Sequence, residues 1–201
     1  MDAIERAAFR VLVSELGWFG AVRVGLRVRL DAARGRPFGD LPPAVDDKER
    51  GSRAQAGPAT LLYSALLPRM PRDEALRITG RIVEEGAMVF LGATVGKIRQ
   101  EEIARLDDAE RRTMLEERLD RFPNATASVE VVEADHVRFL VSRCRLVELV
   151  RHAGHPELAP LFCAADGRFF RELPDGVRLD RPTTLADGAD GCPFDLRWMD
   201  G

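Results

Sequence analysis

Only three cysteines punctuate the 201 residues, and no two of them form a Cys-x-x-Cys pair. That spacing removes the common zinc-ribbon pattern, and an odd number of thiols leaves no complete disulfide framework. Aromatic residues make up 6% of the chain, with one tyrosine, and the formal charge is -3. A chain without a basic field or many stacking side chains is a poor ligand for nucleic acid, and no such partner is expected. Every apolar run is broken by Arg or Glu well before the roughly 20 residues a membrane span needs. Asp2, Glu5 and Arg6 stand where a secretory signal would have a basic start running into apolar residues. These absences lead us to expect a cytoplasmic protein with reduced thiols and no integral membrane segment.

What is present suits an ordinary globular fold: 45% of residues are hydrophobic and 31% charged. From Ala3 to Leu30, Ala8, Val11, Leu12, Leu16, Phe19, Val22, Leu26 and Leu30 recur at helical steps. Gly17, Gly20 and Gly25 should weaken or bend that helix. Arg6, Arg10, Arg23, Arg27 and Arg29 mark its other face, the pattern of a membrane-surface helix. Asp2, Glu5, Glu15 and Asp31 dilute that charge, so packing on the domain or on a second subunit is the preferred reading. Residues 34–58 hold four prolines and four glycines among charges. They read as a flexible linker, which would make residues 1–33 a helical arm and 59–201 the main domain.

Helical periodicity returns from Ala59 to Leu119. Pro71 and Asp73 start one helix, Asp107 or Asp108 starts another, and Pro123–Asn124 stop it. The period then falls to two. Ala127, Val129 and Val131, then Val137, Phe139 and Val141, predict a β-hairpin turning at Ala134–Asp135. Leu146–Val150 and Pro156–Leu161 read as short helices. Pro174–Asp175–Gly176 reads as a turn before a strand through Val177 and Leu179. A last strand carries Cys192, Phe194, Leu196 and Trp198 on one face, and Pro193 argues for a strand start or an edge. Helices first, then strands with short helices between them, define an α+β fold with an antiparallel sheet.

The residues that could carry chemistry cluster in the last third. Cys163 and Asp166 are three apart, which on a helix sets them on one side of a turn. Asp166–Gly167 is equally an ordinary turn dipeptide. A thiol attacks or ligates as thiolate, so its surroundings decide its role. Cys144, Cys163 and Cys192 with Asp166 would make a four-donor zinc set if the fold brought them together. Taken singly, each cysteine is a small buried hydrophobe. Arg181 could clamp a carboxylate with its planar fork or stand solvated on a strand. His155–Pro156 reads as a helix entry, with a catalytic histidine as the alternative, and His136 as a solvated strand residue. Phosphate-loop, His-Glu-x-x-His and Gly-x-Ser-x-Gly patterns are missing from the sequence.

Arg143–Cys144, His155-Pro-Glu-Leu158, Cys163-Ala-Ala-Asp166, Arg181-Pro-Thr-Thr-Leu-Ala-Asp-Gly188 and Cys192-Pro-Phe194 stand in an order that resembles the L-2-amino-thiazoline-4-carboxylic acid hydrolase family. The resemblance covers roughly Ala75 to Trp198. It implies an enzyme that opens a small cyclic amidine by adding water at the amidine carbon, giving an N-carbamoyl cysteine. It implies Cys163, Asp166 and Cys192 as catalytic residues, with Arg181, Thr184 and Cys144 contacting the small-molecule substrate. No cofactor is implied, with zinc on the thiolates as the alternative. The Gly188-x-x-x-Cys192-x-Phe194 ending is also similar to that of the 4-vinyl reductase domain. That likeness implies a pocket against the sheet and a second reading, a non-catalytic small-molecule-binding or scaffold module.

Overall fold

A computed structural model describes residues 3–96, 99–173 and 176–198. Helix α1 (Ala3–Ala33) bends at Gly17, whose φ of +68° is open to glycine at little cost. It packs on α2 (Asp47–Leu66) and α3 (Arg72–Thr94). Val11, Leu12, Ala21 and Val24 of α1 meet Tyr63 and Leu66 of α2 and Ile78 of α3 in one core cluster. Arg77 and Arg81 of α3 both bind Glu15, fixing α1 against α3 from the outside. The arm expected over residues 1–33 is therefore part of the core, which draws on both sides of the boundary expected at residue 58.

The linker expected over residues 34–58 gives way to helix at Asp47. Asp46 caps α2, its carboxylate accepting the Glu49 N–H at 2.6 Å, and Glu49 in turn accepts the Val45 N–H at 3.0 Å. The buried face at this end is made of small residues, Ser52, Ala56 and Gly57. A Cβ on Gly51 would come within 2.8 Å of the Pro123 side chain, so glycine here permits a close approach. Glycine and Pro58 look like linker signals in sequence. In the fold they allow tight packing within a helix whose stability comes from tertiary contact.

Two further helices, α4 (Gln100–Ala104) and α5 (Asp108–Asp120), lead to the sheet. Asp107 and Glu110 form a reciprocal capping box at the start of α5. Strands β1 (Ala125–Val132) and β2 (His136–Cys144) form the expected hairpin. Then come α6 (Arg145–His152), a short 3₁₀ turn at Pro156–Leu158, and α7 (Ala159–Arg171). Strands β3 (Val177–Asp180) and β4 (Cys192–Trp198) complete an antiparallel sheet of order β1-β2-β4-β3. The fold is α+β. Pro174 and Asp175 of the expected turn lie outside the described residues. No helix among those described is long and apolar enough to cross a membrane.

Two local expectations change, and a third holds in one of its two forms. Pro193 is the second residue of β4, the expected strand start, although β4 lies inside the sheet rather than at an edge. Pro193 faces Leu140 of β2, while β3 pairs only with residues 195–198, so the missing N–H costs no ladder bond on that side. His136 is buried rather than solvated, with Nε2 3.1 Å from Asp195 Oδ1. Asp166–Gly167 lies within α7 instead of forming a turn. One sheet face carries Val137, Phe139, Val141, Cys192 and Leu196 into a second core cluster with Phe169 and Phe170 of α7. The opposite face is polar, and there Arg138 pairs with Glu130 at 2.9 Å. The two clusters share Leu185, at the seam where the cysteines gather.

Candidate active site

Pro160 sits in the first turn of α7, where its missing N–H is harmless, and the helix carries Cys163 and Asp166 on one side. Arg181 follows β3 and reaches back to that helix. Its Nη1 donates to Asp166 Oδ2 at 2.5 Å and its Nη2 to the Cys163 carbonyl at 2.7 Å. The guanidinium carbon lies 4.8 Å from the centroid of the Phe194 ring, which itself stacks on Phe139 at 4.7 Å. Arg181 thus holds the β3–β4 connection on α7. Its side chain is 12% exposed and that of Asp166 22%, so water still reaches the pair.

The connection between β3 and β4 shapes the surroundings of Cys192. Thr184 caps a 3₁₀ turn at Leu185–Asp187, which ends on Gly188 at φ +91°. Its hydroxyl donates to Asp187 Oδ2 at 2.6 Å and accepts the Asp187 N–H at 3.2 Å. That turn aims the Leu185 N–H at the buried Cys192 sulfur, which accepts it at 3.1 Å. Arg151 donates to the Leu185 carbonyl at 3.0 Å and braces the turn from α6. Cys144 ends β2 at the N-cap of α6, where its side chain makes no capping hydrogen bond, although the amides of Val147 and Leu146 favour its thiolate electrostatically.

The thiols share one electrostatic neighbourhood: Cys192 opposes ionisation of Cys144, and both oppose that of Cys163. Burial pushes Cys163 up to about 12, against the pull of Arg181 and with further push from Asp166. Burial raises Cys144 as well, in spite of the α6 amides. Asp166 is raised above the ordinary carboxylate range by burial, with Arg181 restraining the shift. At neutral pH the Cys163 thiolate is therefore scarce. Cys163 and Cys144 are held as neutral thiols beside the Arg–Asp pair.

The sequence-derived site residues fare unequally. Cys163, Asp166 and Arg181 are in direct contact, Cys192 and Cys144 stand beside them, and Thr184 acts as a cap. The histidines have other partners: His155 meets Ser64 at 3.1 Å and Tyr63 edge to face, and His152 meets Asp40 at 2.9 Å. Arg151 and the Leu185 amide were not legible, because one acts across the fold and the other is main chain. Among the described residues, no group of three or more His, Cys, Asp and Glu is arranged to hold a metal ion. The four donors of the zinc alternative do not form such a group.

Two cavities lie elsewhere. One of about 450 Å³ opens between α1 and α3, lined by Arg6, Phe9, Arg10, Glu85 and Val89. The other, about 50 Å³, lies against the sheet between Met114, Leu115, Phe170 and Trp198. A pocket against the sheet was expected, but this one is far below the volume of a small-molecule site.

A helical layer over one face of an antiparallel sheet, with an Arg–Asp pair and three thiols at the seam, defines an α+β domain with a partly buried polar centre. The sequence profile of the L-2-amino-thiazoline-4-carboxylic acid hydrolase family matches residues 51–196, and the chain belongs to that family. No curated protein matches the chain. Two solved structures are similar over nearly the whole length. An H-NOX protein from S. oneidensis in its Fe(II)NO ligation state shares 12% identity, with 98% of each chain covered and a TM-score of 0.40. An unliganded Fe(II) H-NOX protein mutant from K. algicida shares 14%, covering 100% of this chain and 98% of its own, with a TM-score of 0.39. At that distance they assign neither ligand nor chemistry to this chain.

Proposed function

We propose that the chain is a hydrolase acting on a small cyclic amidine carboxylate of the thiazoline type, with Asp166 and Arg181 as its central polar pair. The supporting observation is their 2.5 Å contact, set beside Cys163 and open to water. In the reaction the oxygen of water bonds to the amidine carbon and the ring C–S bond breaks. One proton of that water ends on the ring nitrogen and the other on the departing sulfur. Asp166 carries protons in this scheme: burial raises its proton affinity above that of an ordinary carboxyl, with Arg181 restraining the rise. Cys163 and Cys192 flank the reacting carbon. Attack by Cys163 would first require its proton to pass to Asp166, since the free thiolate is so scarce. The N–H groups of Arg181 left free by Asp166 and Cys163 meet the substrate carboxylate. Cys144 borders the substrate, and Thr184 positions Cys192 through the 3₁₀ turn.

The test is incubation with L-2-amino-thiazoline-4-carboxylic acid while newly released thiol is followed with a disulfide reagent. Cys163→Ser and Asp166→Asn should lower turnover about 100-fold or more with the circular dichroism spectrum intact. Undiminished turnover in the Asp166 variant would remove that residue from the chemistry. No thiol release by the wild-type chain would remove the hydrolase reading. The raised proton affinity of Cys144 and Cys163 favours a second reading, a binding module without turnover. A small-molecule ligand that raises the melting temperature and is recovered unchanged would support it.

A further inference from the structure

The sequence offers four acids, Asp2, Glu5, Glu15 and Asp31, as a counterweight to the arginines of the first helix. The fold withdraws two of them from the surface field. Glu15 is held by Arg77 and Arg81 of α3, and Asp31 is buried, with Arg27, Arg34 and Arg36 around it at 2.6, 3.4 and 3.8 Å. Beyond the bend at Gly17, Ala21, Val24 and Asp31 turn inward. That register leaves Phe19, Arg23, Leu26, Arg27 and Leu30 on one outward ridge, with Trp18 and Arg29 beside it. Trp18 is 61% exposed, Phe19 89%, Leu26 56% and Leu30 55%. Four large apolar side chains side by side exceed the scattered exposure normal for a soluble surface. Five arginines between residues 23 and 36 face one aspartate, in a chain whose net charge is -3.

We propose that the second half of α1 is a docking surface for an anionic lipid membrane, with the helix lying in the plane of the interface. Aromatic side chains at one end of the ridge, aliphatic ones along it and arginines interleaved match the requirements of an interfacial helix. Apolar groups enter the headgroup region while guanidinium groups meet phosphate. The opposite face of the helix is already occupied by the core, so the ridge presents itself without unfolding anything. Pairing with a second copy is disfavoured by the same charges. A two-fold contact along this ridge would set Arg23, Arg27 and Arg29 against the arginines of the other copy.

The experiment is co-sedimentation of the full chain with phosphatidylcholine vesicles and with vesicles of phosphatidylcholine mixed with phosphatidylglycerol, at low and high salt. The expected result is binding to the mixed vesicles only, weakened by salt, with a blue shift of tryptophan emission that Trp18→Phe removes. Arg23→Gln/Arg29→Gln should lower the partition coefficient about 30-fold, roughly five-fold per arginine, while the fold is retained. Equal binding to neutral vesicles, no binding to the mixed ones, or wild-type partition in the arginine variant would overturn the proposal. So would sedimentation as a dimer whose Trp18 is shielded without lipid, which would assign the ridge to a contact between copies.

Discussion

Replacing Arg181 with methionine removes the cation that faces Asp166 and releases the connection between β3 and β4 from α7. Breaking a buried ion pair typically costs 3–5 kcal/mol, because the remaining charge is stranded. Here the side chains keep 12% and 22% of their exposure, so solvent offsets part of that cost. Loss of the Phe194 face and of the bond to the Cys163 carbonyl adds to it. We expect about 3 kcal/mol of destabilisation for Arg181→Met in urea unfolding, on the basis of these contributions. The double variant Arg181→Met/Asp166→Asn should fall short of the sum of the single variants by about 1–2 kcal/mol. The pH dependence supplies a second reading of the same pair. Asp166 is raised in the folded state, so the native protein holds this proton more tightly than the unfolded chain does. Its contribution to stability is complete below the unfolded carboxylate pKa and declines as pH rises through the folded value. Arg181→Met should push Asp166 higher still and move that decline upward, while Asp166→Asn should abolish it. A change under about 0.5 kcal/mol for Arg181→Met, or strict additivity in the cycle, would refute the coupling.

Cys163 should alkylate slowly near neutral pH, its rate climbing about tenfold per pH unit toward about 12, as peptide mapping of iodoacetamide-treated protein would reveal. A rate that levels off near the ordinary thiol pKa would contradict that expectation. Glu15 is held down at about 2 by hydrogen bonds from Arg77 and Arg81, so its contribution to stability is present above the ordinary carboxylate pKa and is lost as pH falls toward 2. Glu15→Gln should flatten that part of an acid-unfolding curve; an unchanged curve would remove Glu15 from the docking of α1. Gly51→Ala forces a Cβ to within 2.8 Å of Pro123 and should cost about 1–3 kcal/mol in thermal or urea unfolding. A neutral or stabilising effect would show that α2 can draw back at no cost.

Much of the element order was legible because it is written in period and punctuation. The change from helical steps to alternation after Pro123 is a local signal, and the hairpin of β1 and β2 follows it closely. Asp107 and Glu110 announce α5, and Pro71 with Asp73 announces α3, through groups that act on their own turn. The first half of α2 was hidden, since its buried N-terminal face is glycine, serine and alanine, while its second half, from Ala59, was legible. Periodicity scales register large side chains and miss surfaces built for close approach.

The cysteines, Asp166 and Arg181 could be singled out in sequence because few residue types carry this chemistry and they stand in a family-like order. Which of them touch could not be read there. Arg181 lies fifteen positions from Asp166 along the chain, and only the packing of the β3–β4 connection on α7 brings them to 2.5 Å. The same holds for charge at α1. Counting residues dilutes its arginines with acids, while the fold turns Asp31 inward and gives Glu15 to α3. Local sequence determines backbone preference and which chemical groups are available, because those depend on neighbours a few residues away. Burial, the ionisation it shifts and the pairing of distant charges are properties of the packed chain, and only the tertiary structure decided them.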